Sequence, residues 1–158
     1  MDIELISTNF LIILTGFDET IKLVFLSLSI GFLISIFFAL IRISSIKPLS
    51  LTIYYYVFVI RGTPLLVQIY LIYFGLGSIK AIRESFLWIF LKEPFWCGVL
   101  ALVLNTVAYT TEIIRGGIQS VTKGQIESCK SLGMNRFVMY YKIILPVAFR
   151  QAFPAYGN

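Results

Sequence analysis

Histidine is absent from the 158-residue chain. That excludes a His-based metal site, a histidine general base and the usual serine triad. Cysteine is scarce: Cys97 and Cys129 stand far apart and form no C-x-x-C pair. They signal neither a zinc site nor a disulfide framework and read as small apolar packing residues. Charge is scarce as well. Charged residues make up 13% of the chain against 58% hydrophobic, where a soluble domain carries about a quarter charged. Too few polar side chains remain to cover a water-facing surface. No paired carboxylates or Ser/Lys pairing lie within the apolar runs, so an intramembrane enzyme has no support. No G-x-x-x-x-G-K-[ST] phosphate loop is present, so the chain is not expected to bind ATP. The start is acidic, with Asp2, Glu4, Asp18 and Glu19. A cleavable signal peptide, which needs a basic region before its apolar core, is therefore not expected. No internal repeat or low-complexity tract is visible.

What is there is apolar sequence in blocks. Leu5 to Phe17 is uncharged but short of the roughly 20 residues that span a bilayer, and reads as an interfacial or partly buried helix. Leu23 to Ile41 lies uncharged between Lys22 and Arg42 and is the first spanning segment, with small residues Ser27, Ser29, Gly31 and Ser35 for close helix approach. Ser44 to Leu51 reads as a loop around Lys47-Pro48. Tyr54 to Leu76 is a second span, interrupted by Arg61-Gly62-Thr63-Pro64. Between Ile79 and Glu93 five charges surround Ser85 to Leu91, too short to cross and suited to the interface. Pro94 to Thr111 is a third span, with Glu112 and Arg115 at its end. The expected fold is thus all-α, an integral membrane helical bundle with spans at about 20–43, 54–76 and 94–114 in one domain covering 1–158.

The net charge is +5, and its placement sets the orientation. One side of the three spans holds Lys22, Lys80, Arg83 and Lys92. The other holds Arg42, Lys47, Arg115, Lys123, Lys130, Arg136, Lys142 and Arg150. The positive-inside rule puts the second side in the cytoplasm and the N-terminus outside. The segment at about 116–150 is then cytoplasmic. Within it Ile126, Cys129, Leu132, Phe137, Tyr140, Tyr141 and Ile144 recur at roughly helical spacing, while Lys123, Glu127 and Lys130 share another face, where Glu127 can pair with either lysine. Gly133-Met134-Asn135 interrupts the pattern, so the local expectation is helix, sharp turn, helix, with Pro146 closing the second element or starting the next. Such a segment is either an amphipathic helix on the inner leaflet or a compact knob for a partner's groove.

The order Glu127-Ser128-Cys129, three residues, Gly133, nine residues, Ile143, one residue, Leu145-Pro146 resembles the EAA loop of bacterial ATP-binding-cassette importer permeases. The two alanines of that pattern are Ser and Cys here. Arg61-Gly62-Thr63-Pro64-Leu65-Leu66-Val67-Gln68 and Glu112-Ile113-Ile114-Arg115-Gly116-Gly117-Ile118-Gln119 are similar to motifs of the polar amino-acid subfamily (the histidine/glutamine/arginine type), as is Pro94-Phe95-Trp96.

The resemblance implies a type I importer permease fold and a pore-forming subunit in the bacterial inner membrane. The subunit would pair with itself or a homologue, be driven by a separate cytoplasmic ABC ATPase dimer, and be fed by an extracytoplasmic amino-acid-binding protein, with no cofactor of its own. It also implies that Glu127, Ser128, Cys129, Gly133, Ile143, Leu145 and Pro146 couple the spans to the ATPase. Members of the family run on through two further spans, so three of an expected five are present. The alternative is a truncated, non-transporting remnant that acts as an ATPase-binding membrane protein.

Charges inside spans are functional candidates by default. Arg61 and Glu112 either snorkel or pair structurally, or they line the pathway, where they complement the carboxylate and ammonium of an amino acid. Gln68, Asn105 and Tyr109 are further pathway candidates, with helix–helix hydrogen bonding as the alternative role. Gly62 and Pro64 are expected to loosen the second span.

Overall fold

The structure, a computed structural model, describes residues 3–156. Asp2, part of the acidic start, and the last residues at 157–158 lie outside the described residues. The described residues are helical throughout apart from short turns. The order is α1 (Ile3–Ile43), α2 (Lys47–Gly62), α3 (Leu65–Tyr70) with a π turn (Leu71–Leu76), α4 (Lys80–Arg83), α5 (Trp88–Leu91), α6 (Pro94–Gln119), α7 (Lys123–Ser131), α8 (Arg136–Met139) with a second π turn (Tyr140–Ile144), and α9 (Leu145–Tyr156). Among the described residues two helices are long and apolar enough to cross a membrane, at Gly16–Ile43 and Pro94–Gln119. A third crossing exists if the segments Lys47–Gly62 and Leu65–Leu76 form one broken span.

Two boundaries differ from the sequence reading. The short block Leu5 to Phe17 is continuous with the first span in α1. Lys22 pairs with Asp18 at 2.6 Å and with Glu19 at 3.2 Å, one turn away, so the charges between the blocks support the helix instead of ending it. The loop expected over Ser44 to Leu51 shrinks to residues 44–46, because α2 already begins at Lys47. Pro48 sits in its first turn, where a missing N–H costs no hydrogen bond. The interruption at Thr63-Pro64 is a true break. Pro64 has φ −61° and ψ 137°, an extended residue before α3.

The chain divides into two compact units. One consists of the residues up to Gly31 with Thr63–Asn105; the other of Phe32–Gly62 with the residues from Thr106 onward. In the first, Ser27, Gln68, Cys97, Val99, Ala101 and Val103 are buried. Gly98 lets α6 approach α1, since a Cβ there would meet Leu23 Cδ1 at 3.2 Å. The segment between the spans folds into the single turns α4 and α5. Arg83 lies 5.9 Å over the Trp88 ring, and Phe90 meets Trp96 edge-on at 5.5 Å.

The second unit has two apolar clusters. Ile53, Val57 and Ala108 are packed by Phe38, Ile41, Tyr56 and Ile60, joining α1, α2 and α6. Val121, Cys129, Met139 and Ile144 are packed by Ile118, Ile126, Met134, Ile143 and Val147, which seats α7 on the end of α6 and the start of α9. The tightest approach is at Gly117. A Cβ there would stand 2.6 Å from the Ala148 carbonyl oxygen and 3.1 Å from Ala152 Cβ, whereas neighbouring Gly116 has nothing within 4 Å. Gly117→Val is therefore expected to lower stability by about 1–3 kcal/mol through overpacking. Gly116→Ala should be neutral or stabilising by a few tenths up to about 1 kcal/mol. Paired thermal melts of the two purified variants check this, and equal melting points would count against close α6–α9 packing.

Candidate functional site

The helix–turn–helix expected around Gly133 is present, and each of its joints has a local cause. Thr122 starts α7 with a reciprocal capping box: its hydroxyl accepts from the Gln125 backbone N–H, and the Gln125 side chain accepts from the Thr122 backbone N–H at 3.0 Å. At the other end Gly133 has φ +71°. The Met134 N–H reaches the Cys129 carbonyl at 3.1 Å and the Gly133 N–H reaches that of Lys130 at 2.9 Å. These are the two bonds of a Schellman stop, and Met134 packs against the cluster that contains buried Cys129, the apolar contact that often accompanies the motif. Asn135 then caps α8, accepting from the Val138 N–H at 2.8 Å. The wide π turn at Tyr140–Ile144, where Leu145 N–H bonds to the Tyr140 carbonyl, directly precedes Pro146, whose ring cannot join a regular ladder. Pro146 thus belongs to the start of α9.

The segment's apolar residues do not share one face. Ile126, Cys129 and Ile144 turn inward, while Leu132, Phe137, Tyr140 and Tyr141 are exposed, with Phe137 and Tyr141 stacked at 6.5 Å. The turn at Gly133 rotates the second element, so one helical repeat cannot run through both. Of the motif residues, Cys129 is buried and Ile143 half-buried, whereas Glu127, Ser128, Gly133, Leu145 and Pro146 are exposed. Glu127, for which pairing with Lys123 or Lys130 was expected, has no ion-pair partner among the described residues.

The candidate pathway residues fall into two groups, one in each unit. In the first unit Gln68 is buried. Its amide donates to the Thr63 carbonyl at 3.0 Å and the Thr63 hydroxyl at 2.9 Å, and its oxygen accepts from Asn105 Nδ2 at 3.3 Å. Gln68 therefore ties the break at Thr63-Pro64 to α6.

In the second unit Arg61, Tyr109 and Glu112 line one open cleft of about 320 Å³, together with Tyr54, Val57, Phe58 and Gly62. The Arg61 guanidinium lies 5.1 Å over the Tyr109 ring, a cation–π contact that holds the charge toward the cleft. Glu112 does not pair with Arg61. Its Oε2 accepts from Arg115 Nε at 2.8 Å and from a second Arg115 nitrogen, and its Oε1 faces Arg42 Nε at 3.4 Å. The Glu112 and Arg42 side chains are each only 15% exposed. The longer contact is Coulombic more than a well-formed hydrogen bond. Arg42 is fixed further: its Nη1 donates to Ser50 Oγ at 3.2 Å, and its guanidinium lies 5.2 Å over the Tyr54 ring.

Sequence reading missed Arg42 as a partner of Glu112. The two lie 70 residues apart, and only the packing of α1 on α6 joins them. Arg115, one turn from Glu112 on the same helix, carried a readable signal.

This chain is similar to several known proteins. The nopaline transport system permease protein NocM of Agrobacterium fabrum is 50% identical over 100% of this chain and 66% of its own length. The octopine transport system permease protein OccM of Rhizobium radiobacter is 45% identical over 95% of this chain and 61% of its own. The histidine/lysine/arginine/ornithine transport system permease protein HisM of Escherichia coli K12 is 43% identical over 91% of this chain and 61% of its own. The chain thus spans less than two thirds of the length of these relatives. A crystal structure of an amino acid ABC transporter with histidines superposes with a TM-score of 0.78 and 41% identity, covering 100% of this chain and 70% of that one. The all-α membrane bundle is accordingly that of a type I importer permease. Residues 10–158 match the model of the binding-protein-dependent transport system inner membrane component, and the chain, a multi-pass membrane protein, belongs to that family.

Proposed function

We propose that the chain forms part of the pore-lining permease subunit of an ABC importer for polar amino acids, and that α7 with the Gly133 turn is its joint to a separate ATPase. The observation that carries this reading is the seating of α7. Its inner face shares one apolar cluster with the end of α6 and the start of α9, while its polar face is left bare. A push on α7 therefore reaches the spanning helix α6 without slack, because packed cores shift between discrete arrangements and do not deform continuously.

Two ATPase subunits dock on the cytoplasmic face, where α7 lies with the N-terminus outside. A second permease subunit completes the pore, and an extracytoplasmic binding protein delivers substrate. ATP hydrolysis belongs to the partner, and this subunit catalyses no chemistry. In the cleft, Arg61 on its Tyr109 platform meets the substrate carboxylate. Glu112 holds Arg42 and Arg115 in register. Gln68 and Asn105 hold the broken span against α6 by their hydrogen bond. Several relatives are named for arginine, histidine, lysine and ornithine, which favours amino acids with basic side chains.

The test is ATP-driven uptake of radiolabelled arginine into vesicles holding the full-length permease, its ATPase and its binding protein. Uptake is expected, with Arg61→Ala lowering it about tenfold or more, the loss of one charge-assisted contact, while the ATPase still co-purifies. Unchanged uptake in Arg61→Ala would remove that residue from the path, and no ATP-dependent uptake of any amino acid would overturn the function.

A further inference from the structure

We propose that the cleft between the end of α1 and the start of α2 binds the phosphate headgroup of an anionic membrane phospholipid. It has a volume of about 620 Å³ and is lined by Arg42, Lys47, Ser44, Ser45 and Ser50, with Leu51 and Tyr54 as walls and no carboxylate. Its place suits a lipid. Ile43 ends the apolar span that begins at Gly16, so residues 42–50 lie where hydrocarbon gives way to headgroups. This inference rests on the spanning helices and is independent of what the permease carries.

The charge balance in the cleft is unmet. Arg42 shares the single carboxylate of Glu112 with Arg115, which leaves one positive charge over. Lys47 adds another and has no ion pair among the described residues. The Arg42 guanidinium is already oriented by Ser50 and by the Tyr54 ring, so little rotamer freedom is lost when an anion arrives. The Ser44 hydroxyl is committed to the Ile41 carbonyl at 2.8 Å. The open donors among the described lining residues are thus the Lys47 ammonium and the Ser45 hydroxyl. Two cations and a hydroxyl around an open cleft are the chemistry of a phosphate site.

A free phosphate and a lipid phosphate share that chemistry, and the surroundings favour the lipid. Ile46 is 57% exposed and Leu51 53% exposed. A soluble anion has no use for these apolar side chains, whereas an acyl chain lies along them. Basic pockets at the cytoplasmic ends of spanning helices recognise anionic headgroups by this combination.

The experiment uses the full-length permease, delipidated in detergent, with native mass spectrometry of bound lipid. Phosphatidylglycerol and phosphatidylcholine are titrated separately, and inorganic phosphate is added in excess as a competitor. Arg42 is left in place, because it holds Glu112. The expected result is phosphatidylglycerol binding about five- to tenfold tighter than phosphatidylcholine. That preference is lost in Lys47→Gln/Ser45→Ala and kept in Lys47→Arg, the scale of one interfacial cation. Should the double variant misfold, Lys47→Gln against Lys47→Arg decides alone. Equal affinity for the two lipids, or an undiminished preference in the Lys47→Gln variants, overturns the proposal. Displacement of phosphatidylglycerol by inorganic phosphate also overturns it, in favour of a free-anion site.

Discussion

Glu112→Gln is expected to be the most damaging single change in the second unit. The substitution keeps the size and shape of the side chain and removes only its charge. Arg42 and Arg115 would then face each other across a site where the side chains are only 15% and 26% exposed. Removing one partner of a buried ion pair costs about 3–5 kcal/mol when burial is complete. The residual exposure here brings the expectation to about 2–3 kcal/mol, with solvent screening the remainder. Because the cost comes from the cations left behind, Arg42→Gln/Glu112→Gln should recover part of it. Thermal unfolding of the purified single and double variants measures both effects. A single variant that melts like the parent would mean the triad contributes nothing to the packing of α1 on α6. A double variant that is worse by the full sum would mean the two residues act independently.

If α7 and its turn form the joint proposed above, Gly133→Val should have the largest effect on coupling to the ATPase. At φ +71° a β-branched side chain meets its own backbone, at a cost of about 1–2 kcal/mol. Relief of that strain breaks the bonds from Met134 to Cys129 and from Gly133 to Lys130. The turn then opens, and α7 loses its angle to α8. No neighbour lies within 4 Å of a Cβ at this position, so side-chain size alone is not the obstacle. Gly133→Asn, which tolerates the left-handed region, is accordingly expected to remain close to the parent. Co-purification of the ATPase with each variant, together with ATP-driven uptake, reads the difference. If Val and Asn behave alike, backbone conformation is not what the position supplies.

The two variants also show what was legible in the chain and what was not. The stop at Gly133 and the cap at Thr122 depend on residues within one helical turn. Their bonds are local, so their spelling in the sequence is local too. The spans at α1 and α6 were legible for the same reason, since length and hydropathy are properties of a continuous stretch. The early start of α2 at Lys47 was misread because Lys47-Pro48 punctuates a loop and opens a helix equally well.

The alignment of Glu112 with Arg42, by contrast, has no signature along the chain, and neither does the need for glycine at 117 but not at 116. Leu132, Phe137, Tyr140 and Tyr141 fell in one roughly helical series with Ile126, Cys129 and Ile144, yet the first four are exposed and the other three turned inward.

By itself, then, the amino-acid sequence determined the class of fold, the helical membrane segments, the break at Thr63-Pro64 and the hinged segment after α6, along with the family whose motif spacing it carries. These follow from composition and from interactions between near neighbours. Tertiary structure alone decided that Glu112 answers to Arg42 as well as to its helical neighbour Arg115, that Arg61 stands on Tyr109, that Gln68 meets Asn105, and which apolar side chains of the hinged segment are left uncovered. Each of these depends on two elements meeting in space, and the side chains that meet are set by packing between helices whose sequences do not refer to one another.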